Sequence, residues 1–235
     1  MRTRLLIPAL LTAALALSGC TGSSEGGGSD GGDDSEALAA RLATAKTTID
    51  DAETIAISLS TKKVPDGVTG LLSAEGKGNH TPAFEGKVTV VTGGASLGAD
   101  VIAVDGKVYA KSGLLPQFVS VDPDTLKAPD PASLMSADDG VTQILTATDD
   151  LEAGDQSRDG KDVLTTITGT LPGSLVKTII PSAAEDTTFT VAYRLDDDDV
   201  LRDATLTGQF YPTGGDVTYT VAIETSDQPI TVEAP

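Results

Sequence analysis

Cys20 is the single cysteine of the chain, and the residues before it set what its sulfur can do. A thiolate is a strong nucleophile. The preceding Ser18 and Gly19 are small enough to pass into a narrow peptidase site. Further upstream, Arg2 and Arg4 form a short positive segment, and Leu5 to Leu17 is an apolar run broken only by Pro8 and Thr12. Basic, then apolar, then small is the layout of a secretory signal, here with cleavage before Cys20. The run is shorter than the roughly 20 apolar residues that span a bilayer. Thr3 separates the two arginines, so the general secretory route is expected rather than the twin-arginine one. A lone thiol in an oxidising compartment is a liability unless it is used. Covalent modification of Cys20 is therefore the expected chemistry.

The tetrapeptide Leu17-Ser18-Gly19-Cys20 resembles the bacterial lipobox. That resemblance implies a diacylglyceryl group on the Cys20 sulfur and a mature chain that begins at this residue. Buried acyl methylenes contribute about 0.8 kcal/mol each, and one chain alone anchors only marginally. Two or three chains on Cys20 would hold the protein at the membrane stably, on the extracytoplasmic side.

Other reactive side chains point to no reaction. His80 is the only histidine and sits in the polar loop Gly78-Asn79-His80-Thr81-Pro82, where a solvated side chain is expected. General base work usually needs an orienting partner, and none is visible in sequence. Asp196 to Asp199 are four consecutive carboxylates. Calcium loops alternate their ligands and include a glycine, so this run reads as a solvated turn. Ser174 and Ser182 lack the Gly-x-Ser-x-Gly context of a nucleophile elbow. No catalytic residue, metal site or cofactor is expected, and the chain is not read as an enzyme.

Charge narrows the partners. The chain has 35 acidic and 16 basic residues, two of the latter being Arg2 and Arg4, so from Cys20 onward its net charge is about −21. Nucleic acid is excluded as a partner, because phosphate binding needs clustered Lys and Arg. Adhesion of the protein body to an anionic membrane by charge is disfavoured for the same reason. Without a second cysteine there is no intramolecular disulfide, and the fold must rest on its core. That core is short of aromatic residues, with no Trp, four Phe and four Tyr.

The elements follow from periodicity. Residues 1–19 are read as the signal, and 20–35 as lipidated cysteine and tether. Thr21 to Ser35 is mostly Gly, Ser and Asp, the composition of a flexible linker. A single domain is expected over 36–235. Leu38, Leu42, Ala45 and Ile49 recur at helical spacing between an N-cap at Ser35 and about Ala52. Ile55, Ile57 and Leu59 then alternate as in a strand. Further strands are expected over 71–78, 83–92, 97–104, 107–112, 118–121, 151–155, 161–171, 187–195, 200–211 and 216–225. Asp105-Gly106 and Asp159-Gly160 are hairpin turns. Ala132 to Ala147 reads as helix with a break at Gly140, and Gly173 to Ile180 as a short helix stopped by Pro181. The fold class is α+β: a large curved antiparallel sheet with helices covering its concave face.

The run from Ala99 to Ala110, ADVIAVDGKVYA, joins two strands through Asp-Gly and ends in Tyr-Ala. Together with Gly86-Lys87-Val88-Thr89-Val90, the Ser174 to Ile180 helix before Pro181, the lipobox and the glycine-rich tether, it resembles the actinobacterial LppX/LprAFG lipoproteins. The resemblance covers the whole mature chain. It implies a fold similar to the LolA/LolB lipoprotein carriers, a half-barrel sheet covered by helices, with a cavity for acyl chains. It also implies binding or transfer of lipids or glycolipids, such as triacylglycerol or acylated phosphatidylinositol mannosides, in the cell envelope. A membrane lipid transporter is a further partner in such a scheme. By this resemblance Val88 faces the cavity. Val90, then Ala99, Val101 and Ala103, are the next lining candidates. Ile57, Leu59, Val141, Ile144, Leu145, Leu175, Val176 and Ile179 would complete the wall, with ordinary core packing an equal reading for each. The rival function is a structural or adhesive envelope lipoprotein with a filled core and no lipid ligand.

Overall fold

The computed structural model describes residues 30–126 and 128–235. Cys20, the signal and most of the expected tether lie outside the described residues.

Helix α1 (Asp30–Asp50) opens the described chain and begins before the Ser35 expected as its N-cap. Its Leu38, Leu42, Ala45 and Ile49 are buried, as their spacing predicts. The order then runs β1 (Thr54–Thr61), β2 (Gly70–Asn79), β3 (Ala83–Thr92), β4 (Ala95–Val104), β5 (Lys107–Ser112) and β6 (Leu115–Val121). A helical connection follows, with α2 (Pro123–Leu126), the 3-10 turn Ser133–Met135 and α3 (Gln143–Thr146). The remainder is β7 (Asp149–Asp159), β8 (Asp162–Pro172), α4 (Gly173–Ile179), β9 (Thr188–Leu195), β10 (Leu201–Gly208) and β11 (Val217–Ser226).

All eleven strands form one antiparallel sheet in the order β6-β5-β4-β3-β2-β1-β11-β10-β9-β8-β7. Neighbours in this order are joined by hairpins or loops, except that β8 reaches β9 through α4 and that β1 pairs with β11 and so brings the two halves of the chain together. The hairpin turns use the residues the sequence offers. Asp105 and Gly106 take φ of 54° and 67°, as a type I′ turn requires. At the second Asp-Gly the turn is displaced by one residue: Asp159 pairs with Asp162, leaving Gly160 and Lys161 as the central pair. Both outer strands are poor templates for further pairing. β6 carries Pro116, and β7 is interrupted by two register shifts and lined with charge.

The helix expected over 132–147 is broken. The Gly140 amide donates to the Ser136 carbonyl at 2.9 Å and the Val141 amide to that of Leu134 at 3.1 Å, folding the chain into a turn between two short helical pieces. A β-carbon on Gly140 would meet the Leu134 carbonyl oxygen at 2.6 Å, so only glycine closes this turn.

Register assigns the faces. Ile55, Gly78, Phe84, Ala103, Val108 and Val121 form one cross-strand row. The next row is Ile57, Gly76, Gly86, Val101, Ala110 and Val119, and the third is Leu59, Ala74, Val88, Ala99 and Ser112. All three share the face that the helices cover. Met135 closes over Gly78, α3 meets Tyr193 of β9, and α1 packs on α3 and β7.

His80 corrects its expected solvated state. In the β2–β3 turn it places Nδ1 2.7 Å from the carbonyl oxygen of Met135 and Nε2 3.0 Å from that of Ile49. It therefore links the end of α1, the 3-10 turn and the sheet.

Candidate functional site: the apolar face of β1 to β6

The two halves of the helix-covered face are filled differently. In β8 to β11 it carries Leu171, Phe189, Tyr193 and Tyr219, with Phe210 stacked edge-on against Phe189 and Tyr219 at centroid distances of 5.0 and 4.9 Å. The Tyr193 hydroxyl contacts that of Thr148 at 2.8 Å. The Tyr211 and Tyr219 hydroxyls meet at 2.6 Å, and Tyr219 donates to the Leu71 carbonyl at 2.5 Å. Burial pushes the Tyr193 and Tyr219 phenols far above the ordinary tyrosine range, and for Tyr219 its contact with Tyr211 adds to the rise.

In β1 to β6 the same face carries Ile55, Ile57 and Leu59 on β1 and mostly Gly, Ala and Val beyond it. Phe84 is its one aromatic side chain, only 2% exposed and laid over Gly76 and Gly86. Beyond that ring come Ala74, Val88, Val90, Ala99 and Ala110, all half-buried. Farther along β4 and across to β6, Leu97 and Val119 are 36% and 38% exposed. The small residues make a shallow apolar bed, packed at the Phe84 end and exposed at the Leu97 end.

Val88 lies directly opposite Ala99, and Val90 opposite Leu97, on the face shared by Val101 and Ala103. Ile57 and Leu59 continue that face across β1 and β2. Val101 and Ala103 are buried. Val141, Ile144 and Leu145 lie in the β6–β7 connection, with Leu145 buried and the other two partly so. Leu175, Val176 and Ile179 are on α4, which packs on β8 and β9. They stand in the aromatic-filled half, apart from the Val88 row. Phe84 and Gly76, which the sequence reading does not single out, complete the bed with Gly86; paired glycines in adjacent predicted strands are the signal that points to them.

The opposite face is polar. Ser58, Glu75, Lys87, Asp100 and Lys111 form one of its rows, with alternating charge from Glu75 onward. Lys111 pairs with Asp100 at 3.4 Å and lies 5.0 Å from the centre of the Phe118 ring. A groove of about 770 Å³ crosses β1 to β5, and its lining includes Leu59, Ala74, Val88 and Ala99 as well as Ser58, Glu75, Lys87 and Asp100.

No group of His, Cys, Asp or Glu among the described residues is arranged to hold a metal ion. No helix among them is long and apolar enough to cross a membrane. Asp196, within the acidic run, is 8% exposed rather than solvated. Its Oδ1 accepts from the amides of Asp198 and Val200 at 3.0 and 2.9 Å, and its Oδ2 from Arg202 Nε at 3.0 Å.

These features define an α+β protein built on one open antiparallel sheet whose single helix-covered face is half filled and half lined by small aliphatics. The chain belongs to the LppX_LprAFG lipoprotein family, whose sequence model matches residues 34–232. Its fold is that of two solved relatives. LprF from Mycobacterium bovis superposes with a TM-score of 0.67 at 13% identity, covering 86% of this chain and 98% of that one. The lipoprotein LppX from Mycobacterium tuberculosis superposes with a TM-score of 0.59 at 20% identity, covering 84% and 99%. No curated protein matches the chain in sequence.

Proposed function

We propose that this protein is a lipid-anchored carrier of the cell envelope, tethered through acylated Cys20, that holds the acyl chains of a lipid or glycolipid against the apolar bed of β1 to β5. The observation that carries this reading is the asymmetry of the helix-covered face. Aromatic rings fill it in β8 to β11, whereas glycine, alanine and valine leave it open beyond Phe84. An acyl chain laid there gains roughly 25 cal/mol per Å² of apolar surface removed from water. The binding is non-covalent, and the head group stays at the open Leu97 end, where solvent reaches it. Triacylglycerol and acylated phosphatidylinositol mannosides are the ligand classes that the family resemblance favours, and a membrane lipid transporter is the natural donor or acceptor. The chemistry is carriage, not catalysis.

One observation favours the rival, an envelope lipoprotein with no lipid ligand: Val101, Ala103, Leu145 and Val176 are already buried by protein atoms. The two readings separate on one experiment. The chain with Cys20→Ser is purified without its own acyl groups, extracted with organic solvent and examined by mass spectrometry. Stoichiometric lipid in the extract, and uptake of a fluorescent diacyl probe by the delipidated protein, are expected. Absence of both would replace the carrier with the filled-core protein.

A further inference from the structure

Burial is graded along the strands of the apolar bed. On β4, Ala103 and Val101 are buried, Ala99 is half-buried and Leu97 is exposed. On β2 and β3, Gly78 and Phe84 are buried, whereas Gly76, Gly86, Ala74 and Val88 are half-buried. The protein-filled end and the floor of small residues meet at the Phe84 ring. Phe84 belongs to the row of Gly78 and Ala103, yet its ring leans one row outward. A β-carbon on Gly76 would stand 2.4 Å from Cζ of the ring, and one on Gly86 2.7 Å from the same atom. The ring tip therefore fills the space that two absent side chains leave. The next row outward is Ala74, Val88 and Ala99.

Behind the ring the end is closed a second time. A β-carbon on Gly78 would meet Cγ of Met135 at 2.7 Å, so Met135 covers that glycine. His80 Nδ1, 2.7 Å from the Met135 carbonyl oxygen, ties this cover to the β2–β3 turn. Removing the ring thus lengthens the bed inward by one row, from Gly76 to Gly78, roughly 7 Å along the strands.

We propose that Phe84 is a specificity-determining residue of this protein, the stop that sets how long an acyl chain the bed accepts. The proposal rests on the carrier reading and adds the ligand property that is selected, chain length. A methylene that moves from a bilayer to the bed exchanges one apolar surrounding for another, at little change in free energy. Once the terminal methyl meets the ring, further length is pushed out at the Leu97 end into water. Each methylene left there lowers occupancy roughly fourfold. Chains that fit are held about equally, and longer ones are rejected steeply.

The test reads that limit directly. Delipidated Cys20→Ser protein is incubated with vesicles holding equal amounts of saturated phosphatidylcholines that rise from short to long in even-carbon steps. The protein is separated, and the lipid it retains is resolved by chain length in a mass spectrometer. The same comparison is made on the lipid that co-purifies with each variant. The parent is expected to lose the series sharply above one length. Phe84→Leu and Phe84→Ala should move the limit at least one member longer. Ala74→Leu, which leaves the buried row intact and puts bulk in front of the ring, should move it shorter. Phe210→Leu removes a ring as deeply buried in the filled half and should leave the limit in place. A limit that stays put in the Phe84 variants or in Ala74→Leu, with lipid still retained, overturns the stop and leaves the carrier. A limit that moves as far in Phe210→Leu makes the effect a general loosening and also overturns it. A parent that neither retains phosphatidylcholine nor co-purifies with lipid overturns the carrier reading, and the stop with it.

Discussion

The ring of Phe84 covers Gly86. A β-carbon built on Gly86 would stand 2.7 Å from Cζ of Phe84 and 2.8 Å from Cα of Gly76, its partner across the β2–β3 pair. The ring supplies the packing that the two glycines lack, and it forms the closed end of the apolar bed. Gly86→Ala forces the ring and the Glu75 backbone apart at once, and neither can yield cheaply. Overpacking of this kind costs about 1–3 kcal/mol. Gly86→Ala is expected to lower the urea midpoint with little change in m-value. Phe84→Ala, which removes a buried ring, is expected to cost about 3–5 kcal/mol.

The buried phenols make stability sensitive to alkaline pH. Tyr193 and Tyr219 are both raised in the folded protein by desolvation. Because the folded state retains protons that the unfolded chain releases, their contribution is complete below the ordinary tyrosine value, about 10, and declines above it. Each phenol adds a slope of about −1.4 kcal/mol per pH unit above that value. Urea unfolding followed from about pH 8 to about pH 12, roughly two units either side of the ordinary tyrosine value, should show falling stability. Tyr219→Phe should flatten the decline, and a pH-independent midpoint in the parent protein would contradict the burial of both groups.

Asp196 organises the β9–β10 turn by accepting two backbone amides and the Arg202 guanidinium. The third aspartate after it, Asp199, has φ of 60° and accepts from Arg41 Nε of α1 at 2.5 Å, so the turn also holds the helix. Asp196→Ala leaves those donors unmatched at a nearly buried site, and a loss of about 1–3 kcal/mol is expected. Calcium should leave the melting temperature unchanged in the parent and variant alike. A calcium-dependent rise in the parent would make the run a metal loop after all.

The strands were legible because their alternation is strong. β3 and β5 have the bounds that periodicity predicts, and the core-facing residues of α1 are the expected ones. What escaped depends on partners distant in sequence. β7 extends well beyond its apolar centre because β8 supplies a ladder that charged residues can join at an exposed edge. His80 looked solvated because the carbonyls of Ile49 and Met135 that it meets lie 31 and 55 residues away. In the bed, Val88 and Ala99 could be assigned to faces one strand at a time. That they stand opposite each other, with Gly76 and Gly86 alongside under Phe84, needed the register. Nor does periodicity distinguish α4 from the bed: Val176 is as apolar as Val88 but belongs to the filled half.

That last contrast gives a prediction within the candidate lining itself. Val88 is half-buried on the open bed, and Val176 is 1% exposed under α4. Enlarging Val88 to Trp fills space above small neighbours, so the fold should survive and lipid loading should fall. Trimming Val176 to Ala removes buried methyl groups from a packed site, so stability should drop by about 1–3 kcal/mol while lipid loading per folded molecule holds. The two variants are compared by thermal melting and by lipid recovered per mole of folded protein. If Val88→Trp loads as much lipid as the parent, Val88 is not part of the acyl-chain surface. If Val176→Ala loses lipid in proportion, the site extends beneath α4, and the boundary between the filled and open halves lies elsewhere than the β1–β11 seam.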